Sequence, residues 1–308
     1  MKNFRHEIQI IFSFLFVLLS AFRLNAKELE IFDLMFYQRN KNKNIGFVSL
    51  SGVRPPHADW FVIPNLTKKE ERKIQNSGCI KLGSKFRKYF LSKEKISEAA
   101  NVFIYDYSKN VLKTFKINDL NFMACLSVYV DRVRELPPYD KSDFMIGFEI
   151  DEQLLPGFGM FSTDVLVFIG KESPFIQGQL QRIVWQKIKS KYFPSGMEGK
   201  YFKDSEYSKG DSYKYETGDL QYFAQDLVKN NSVFARRLLV MDRRTKNKVY
   251  EAVYTRDLAP FGRQWTGRLF KNKPKVIFGF EYISFGCESI ELLKSSEEAI
   301  RIHCDNRH

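Results

Sequence analysis

The chain has 308 residues, of which 44% are apolar and 15% aromatic, and its formal net charge is +13. This composition excludes an intrinsically disordered body, because the apolar and aromatic side chains can bury enough surface to offset the entropy of folding. The positive charge predicts attraction to anionic partners such as phospholipid head groups, lipopolysaccharide, teichoic acids, nucleic acid or an acidic protein.

Residues 1–26 have the order of a secretory signal peptide. Lys2 and Arg5 precede an apolar run from Ile8 to Phe22, and Ala26 supplies the small residue at which cleavage occurs. The alternative is a retained membrane anchor, but the run is shorter than the roughly 20 residues that a spanning helix needs. We therefore predict export to the periplasm or secretion.

Cleavage leaves a body of residues 27–308. The signal peptide holds three basic residues and one acidic residue, so the charge of the body falls from +13 to +11. No later apolar run approaches spanning length, and no transmembrane segment is predicted after cleavage. The body forms one large core or two lobes, and breaks rich in proline and glycine place the join near 135–159.

Short strands joined by polar turns dominate the body. Three pairs predict hairpins: Leu29–Tyr37 with Ile45–Ser51, Val102–Tyr107 with Val111–Ile117, and Phe234–Asp242 with Lys248–Thr255. In two of the turns Asp106 and Asp242 can accept from turn amides, and Asn110 tolerates positive φ. Further strands are predicted at Asp59–Ile63, Ala124–Val133, Asp143–Ile150, Asp164–Gly170, Lys275–Ser284 and Glu288–Leu293.

Helical spacing and capping residues predict several helices beside this sheet. Thr67 and Glu70 form a capping box for a helix toward Gln75. Other helices are predicted from Lys93 to Ala100 after Ser92, from Ser173 through Ile188, and from Asp219 through Val228, with a short capped turn at Ser295–Glu298. The predicted fold class is α+β, with a mainly antiparallel sheet and several flanking helices.

Four cysteines lie in the exported body. An even number in an oxidising compartment predicts two disulfides, and shorter loops favour Cys79 with Cys125 and Cys287 with Cys304. The alternative is four buried free thiols. No metal site is predicted, because the cysteines lack C-x-x-C spacing and the chain has only 4 histidines.

Catalytic candidates are few. In an extended chain His57 and Asp59 point the same way, with Arg54 near enough to stabilise an oxyanion. The neighbouring prolines favour an ordinary surface turn instead. A carboxylate pair drawn from Glu149, Asp151 and Glu152 at a strand end is a second possibility for hydrolysis. No cofactor is predicted, since no P-loop, dinucleotide fingerprint, G-x-S-x-G or H-E-x-x-H motif occurs.

Two segments combine basic and aromatic residues. Gly196–Gly218 has the composition of a long surface loop, and Phe261–Lys275 carries Arg and Trp between glycines. In the second segment we predict ligand contacts from Arg263, Trp265, Arg268 and Lys271, the arginines binding a phosphate or carboxylate. The alternative for each segment is a solvated loop whose aromatic side chains pack onto the body.

The favoured function is therefore an exported cell-envelope or secreted binding protein, whose basic aromatic surface engages an anionic polymer or an acidic protein. Nucleic acid is not the expected partner, because the chain is exported and no nucleic-acid module is visible. The alternative is an envelope hydrolase that uses a carboxylate pair or His57 and Asp59.

Overall fold

The structure, a computed structural model, describes residues 29–40, 43–51, 67–127, 130, 139, 143–155, 164–194, 207–255, 258–281, 287–294 and 296–304. The predicted signal peptide and the residues Arg54, His57 and Asp59 lie outside this part, as do residues 135–138, 140–142 and 156–159 of the segment in which the lobes were expected to join. The prediction of two lobes stays a prediction.

The fold is mainly β-sheet. The described residues contain two α-helices, α1 (Lys68–Ser77) and α2 (Ser84–Lys93). Their strands are β1 Ile31–Phe32, β2 Met35–Asn40, β3 Lys43–Ser49, β4 Cys79–Lys81, β5 Asn101–Asp106, β6 Val111–Lys116, β7 Asn121–Leu126, β8 Phe144–Asp151, β9 Val165–Gly170, β10 Leu180–Arg182, β11 Gln186–Ile188, β12 Ser208–Thr217, β13 Leu220–Lys229, β14 Ser232–Asp242, β15 Lys248–Tyr254, β16 Trp265–Gly267, β17 Val276–Phe278, β18 Ser289–Leu292 and β19 Ile300–His303.

The strands form three sheets. A nine-stranded sheet has the order β10-β16-β17-β18-β19-β1-β9-β5-β6, and two five-stranded sheets have the orders β11-β12-β13-β14-β15 and β2-β3-β8-β7-β4. The described pairings are antiparallel except for β1 with β19. The predicted antiparallel sheet is therefore confirmed.

Strands β5 and β9 separate two hydrophobic cores. Val102 and Ile104 of β5 point into a core formed with the β2-β3-β8-β7-β4 sheet and both helices. Phe103 and Tyr105, on the other face of β5, point into a second core formed with β16, β17, β18 and β19. Leu166 of β9 joins this second core, while its neighbours on either side join the first.

The nine-stranded sheet curls around the second core. The Tyr107 ring, just after β5, lies 5.2 Å from the Trp265 ring and 5.4 Å from the Phe278 ring, which belong to β16 and β17 at the other end of the sheet. Near the two edges, Gln177 Nε2 donates to the Asn110 carbonyl at 3.4 Å. Side chains of the inner face therefore converge at the two ends of the curled sheet.

The three predicted hairpins are confirmed as β2–β3, β5–β6 and β14–β15. The first is shorter than expected, because β1 pairs separately in the nine-stranded sheet. Turn chemistry is as predicted: Asp106 Oδ1 accepts from Lys109 N at 2.9 Å and Asp242 Oδ1 from Thr245 N at 2.6 Å. Asn110 has a φ of 56°.

The prediction of several flanking helices is wrong. Residues 180–182 and 186–188 are short strands, and Gly178 takes a φ of 70° that a helix does not allow. Residues 220–229 form β13, a central strand buried on both faces, and such a strand shows apolar residues at helical spacings by coincidence. The short turn predicted at 295–298 is described from residue 296 onward: the Glu297 amide donates to the Lys294 carbonyl at 3.0 Å, and the chain then enters β19.

The sequence predicts the start of one helix and not of the other. Helix α1 begins at the predicted capping box, in which the Thr67 side chain accepts from Glu70 N and the Glu70 carboxylate accepts from Thr67 N. Helix α2 lies before the predicted segment 93–100 and ends where that segment begins. Its N-cap is Gly83, which offers no side-chain hydrogen bond, so the usual signal is missing.

Both predicted disulfides are present. Cys79 and Cys125 are register partners on β4 and β7, and their bond lies in a small apolar cluster. Cys287 precedes β18 and Cys304 follows β19, so the second bond links the ends of two neighbouring strands. Each bond therefore crosslinks a strand pair of one sheet.

Removing the disulfides will destabilise the protein by amounts that follow loop length. The bonds close loops with sequence separations of 46 and 17 residues. We expect Cys79→Ala/Cys125→Ala to lose about 4 kcal/mol and Cys287→Ala/Cys304→Ala about 3 kcal/mol of unfolding free energy. Urea unfolding without reductant measures both, and midpoints equal to that of the wild type would contradict the expectation.

Candidate functional site

The predicted loop Gly196–Gly218 is only partly described, and its described portion is not a loop. Residues 208–217 form β12, which pairs with β13 along most of its length. Tyr215 packs against Tyr222 at 5.8 Å between ring centroids, and Lys214 pairs with Glu216. The tyrosines and lysines here alternate between the faces of a sheet, which explains the composition without a flexible loop.

The four predicted ligand contacts of Phe261–Lys275 do not come together. Arg263 and Trp265 lie at the start of β16, whereas Arg268 and Lys271 follow its other end. Elsewhere in the segment, Lys273 pairs with Glu297 at 3.0 Å and Lys275 with Asp219. Lys273 and Lys275 are thus neutralised, whereas Arg268 and Lys271 of the same segment are exposed and form no ion pair among the described residues.

Trp265 is a core residue at the boundary with solvent. Its side chain is 7% exposed, the Tyr107 ring contacts its ring edge to face, and the Arg182 guanidinium lies 5.2 Å from its centroid. A ligand would therefore meet Arg182 before it met the indole. Trp265 therefore packs inward, as in the alternative interpretation in which the aromatic side chains of this segment pack onto the body.

Gln264 holds the segment that carries Arg263 and Trp265. Its amide donates to the carbonyls of Pro260 and Gly279, at 3.1 and 2.8 Å. Its oxygen accepts from Trp185 Nε1 at 3.1 Å and from the Gly262 amide at 3.0 Å. One fully buried side chain thus fixes two separate stretches of backbone and a second tryptophan.

Polar side chains collect at the end of the curled sheet where Trp265 lies. We call this set the acidic rim: three carboxylic acids with an arginine and two aromatic residues, each at or next to a strand end, namely Asp33, Tyr107, Asp164, Arg182, Trp265 and Glu288. The alternation of β9 and β18 places Asp164 on the same face as Leu166, and Glu288 on the same face as Ile290. Both acids therefore point toward the second core.

Contacts within the rim join groups from distant parts of the chain. The Tyr107 hydroxyl donates to Asp164 Oδ1 at 3.3 Å, and the Tyr107 amide donates to the Asp164 carbonyl at 3.1 Å. The Arg182 guanidinium lies 4.0 Å from Asp164 Oδ2. Asp164 is therefore the acid that receives the hydrogen bond and the ion pair.

Burial dominates the acid–base behaviour of the rim. It raises the pKa of Glu288 to about 7; the Gly279 amide opposes this rise, and the charges of Asp164 and Asp33 add to it. Burial also raises the pKa of Asp33, against the lowering effect of a hydrogen bond from the Leu34 amide. The pKa of Tyr107 is raised well above its ordinary value by burial and then by Asp164.

A second candidate surface lies on α2, outside both segments predicted from the sequence. We call it the basic helical face, and it consists of the exposed side chains Lys85, Lys88, Tyr89 and Lys93. Their spacing of three and four residues places them on one side of the helix. Tyr89 is 46% exposed, and Lys93 Nζ lies 5.6 Å from its ring centroid.

Charge around this face is strongly unbalanced. Residues 67–100 contain ten Lys and Arg against four Glu, a net charge of +6 out of the +13 of the whole chain. Helix α2 itself has no acidic residue. Within the described part of the chain, none of the three lysines of the face forms an ion pair, so their charge is directed at solvent.

Arg87 fixes the opposite side of α2 to the body. Its guanidinium donates to Glu98 and to the carbonyls of Ile117 and Leu120, the latter two at 2.5 and 2.6 Å. The hydrogen bond from Arg87 lowers the pKa of Glu98. The buried side chains Phe90 and Leu91 complete the attachment, so the lysines are presented on an anchored helix.

The carboxylates suggested by the sequence have other partners. Glu149 is buried on the central strand β8, Asp151 Oδ1 accepts from the Gln153 amide at 3.1 Å, and Glu152 Oε1 accepts from Asn44 Nδ2 at 3.3 Å. These bonds cap a turn and join strand ends. No three His, Cys, Asp or Glu side chains of the described residues are grouped to hold a metal ion.

Comparisons of the chain with protein-family models, with curated proteins and with solved structures found no match. The described residues contain no helix that is long and apolar enough to cross a membrane. The two surfaces above are therefore interpreted from their own geometry and charge.

Sequence reasoning missed most of both surfaces. Of the rim it singled out Trp265 alone, although Asp164 and Glu288 were recognised as strand starts. An acid at a predicted strand start, in phase with the apolar face of that strand, was the available signal. For the basic helical face the signal was the absence of acidic residues from Ser84 to Lys93.

Replacing Gln264 will test its role in holding the rim. Gln264→Ala removes a fully buried side chain and leaves two partly buried carbonyls and two partly buried N–H groups without their partner, so we expect a loss of about 3 kcal/mol of unfolding free energy. Gln181→Ala is the matched control, because the exposed Gln181 amide bonds only to Thr217 Oγ1 among the described residues. Equal urea midpoints for the two variants would contradict the assignment.

Proposed function

We propose that the protein is an exported binding protein that engages an anionic polymer of the cell envelope through the basic helical face. The observation that carries the proposal is the exposed set of lysines around Tyr89 on a helix without acids. Such a surface attracts polyanions through counterion release, and an exposed aromatic ring adds contact area beside the cations.

Export itself belongs to the proposal. The signal-like residues 1–26 support it, and the two disulfides suit an oxidising compartment such as the periplasm or the cell exterior. An acidic protein partner would use the same cations. We favour a polymer because the lysines are spaced along two turns of a helix, which suits a repeating charge more than a single acidic group.

Neutralising the face will weaken binding to an immobilised polyanion. For Lys85→Ala/Lys88→Ala/Lys93→Ala we expect affinity for dextran sulfate or teichoic acid to fall on the order of tenfold or more at about 50 mM salt. The dependence of affinity on salt should become shallower by about two to three counterions. Surface plasmon resonance with a salt titration measures both quantities.

The control is a variant of equal charge elsewhere. Lys116, Lys171 and Lys229 are exposed lysines on other parts of the body, and replacing all three with alanine removes the same net charge. A second comparison is Arg268→Ala/Lys271→Ala, which tests the segment predicted from sequence. If either comparison variant weakens binding as much as the α2 variant does, or wild-type binding does not respond to salt, the proposal is wrong.

A hydrolase is the second candidate function, and the acidic rim favours it. A carboxyl group whose pKa is raised to about 7, as at Glu288, can donate a proton to a leaving group while a nearby carboxylate such as Asp164 activates water. This pair replaces Glu149, Asp151 and Glu152 as the carboxylates to test. The other version, with His57 and Asp59, stays a prediction.

Peptidoglycan hydrolysis separates this candidate from simple binding. We expect the wild type to release reducing ends from purified peptidoglycan and Glu288→Gln to reduce the rate on the order of a hundredfold, because proton donation is lost. Glu298→Gln, an exposed glutamate outside the rim, is the control. Absence of release by the wild type would exclude this substrate class and leave the binding function.

A further inference from the structure

In the nine-stranded sheet, strands β9, β5 and β6 are joined to strands β10 and β16–β19 through β1, and the pairings at this point are short. On one side β5 pairs with β9 over six residue pairs. In contrast, β1 has two register pairs with β9 and two with β19, and β18 has two with β19. We call β1, β18 and β19 the junction. Each pairing within the junction and to β9 spans only two residues, against six for β5 with β9, so few backbone hydrogen bonds must break for this part of the curled sheet to loosen.

Asp33 and Glu288, two acidic residues of the rim, form backbone hydrogen bonds within this junction. The Asp33 amide, at the end of β1, donates to the His303 carbonyl of β19 at 2.9 Å. The Ile302 amide of β19 donates to the Glu288 carbonyl, just before β18, at 2.8 Å. The Cys287–Cys304 disulfide links the same two strand ends. Any force between these carboxyl groups therefore acts directly on the junction.

The charges around Glu288 come from every strand that reaches the rim. Arg263 precedes β16 and Asp164 precedes β9, and both act on the Glu288 carboxyl electrostatically, as Asp33 does. Arg182 of β10 and Tyr107 after β5 contact Asp164. His303 of β19 packs on Phe32 at 5.4 Å, on the other face of the sheet. Two acids, Asp33 and Asp164, and one cation, Arg263, therefore act on the Glu288 carboxyl.

We propose that the acidic rim makes the junction sensitive to pH. While the Glu288 carboxyl holds its proton, the junction stays closed. When Glu288 ionises beside Asp33 and Asp164, repulsion between the carboxylates loosens the pairing of β1, β18 and β19. The junction would thus be tight in mildly acidic surroundings and looser above neutrality.

The sign of the effect follows from linkage. Burial raises the pKa of Glu288 from 4.5 to about 7 in the folded protein. The folded state therefore binds a proton that the open state has already released in this interval. Closure is fully stabilised below about pH 4.5, and this stabilisation is lost as pH rises toward 7 and beyond. Burial raises the pKa of Asp33 as well, so it contributes with the same sign.

Amide hydrogen exchange on the full chain tests the proposal. After correction for intrinsic rates, we expect the protection of Asp33 and Ile302 amides to fall on the order of tenfold between about pH 5 and pH 8. Amides of β13, which belongs to a sheet that contributes no residue to the rim, report the same conditions and should keep their protection. Glu288→Gln keeps an acceptor for the Gly279 amide without an ionisable group, so its junction should stay protected at pH 8.

Two further variants complete the test. Asp33→Asn should reduce the pH response in the same direction, which keeps the proposal testable if Glu288→Gln folds poorly. Glu298→Gln removes an exposed carboxyl outside the rim and should behave like the wild type. Constant junction protection in the wild type across this pH range would overturn the proposal. So would an unchanged pH response in Glu288→Gln and Asp33→Asn.

Discussion

Burial of β5 and β9 on both faces is the constraint on which the rest of the structure depends. Val102 and Ile104 need cover on one side, and Phe103 and Tyr105 need it on the other. Leaving either face in water would cost about 25 cal/mol for each Å² of apolar surface. The sheet that contains β3 and β8, together with both helices, covers the first face, and the curl of the nine-stranded sheet brings β16–β19 over the second. Since the inner face runs out of apolar residues at the strand ends, charged groups gather there as the rim.

The features that could be predicted from sequence are those decided by neighbours along the chain. A hairpin needs two alternating runs and a turn, and the turn acids Asp106 and Asp242 bond to amides two or three residues away. The capping box of α1 needs only Thr67 and Glu70. The disulfide pairing followed from loop length, and both bonds join strands that are neighbours in a sheet. None of these depends on how the sheets pack together.

The features that could not be predicted depend on packing. Apolar residues at 220–228 fit a helix as well as a strand until one knows that β13 has neighbours on both sides and cover on both faces. The rim needs the ends of six distant segments to meet, and each of its acids alone is one of 36 acidic residues. Helix α2 has no capping side chain, and Arg87 attaches it to carbonyls some 30 residues later in the chain. Such a contact leaves no periodic signal.

The basic helical face and the acidic rim carry opposite charge. A protein with a large net positive charge can therefore attract anions at one surface and not at another. The segment with the basic helical face leads directly into the start of β5, and Tyr107 and Asp164 lie at its other end. Six extended residues separate these ends by about 20 Å, roughly twice the screening length at physiological salt. The acids of the rim therefore do little to cancel the field of the lysines. If the proposed polymer binds at α2, we expect it to contact the side of the body that carries the lysines and to leave the rim exposed.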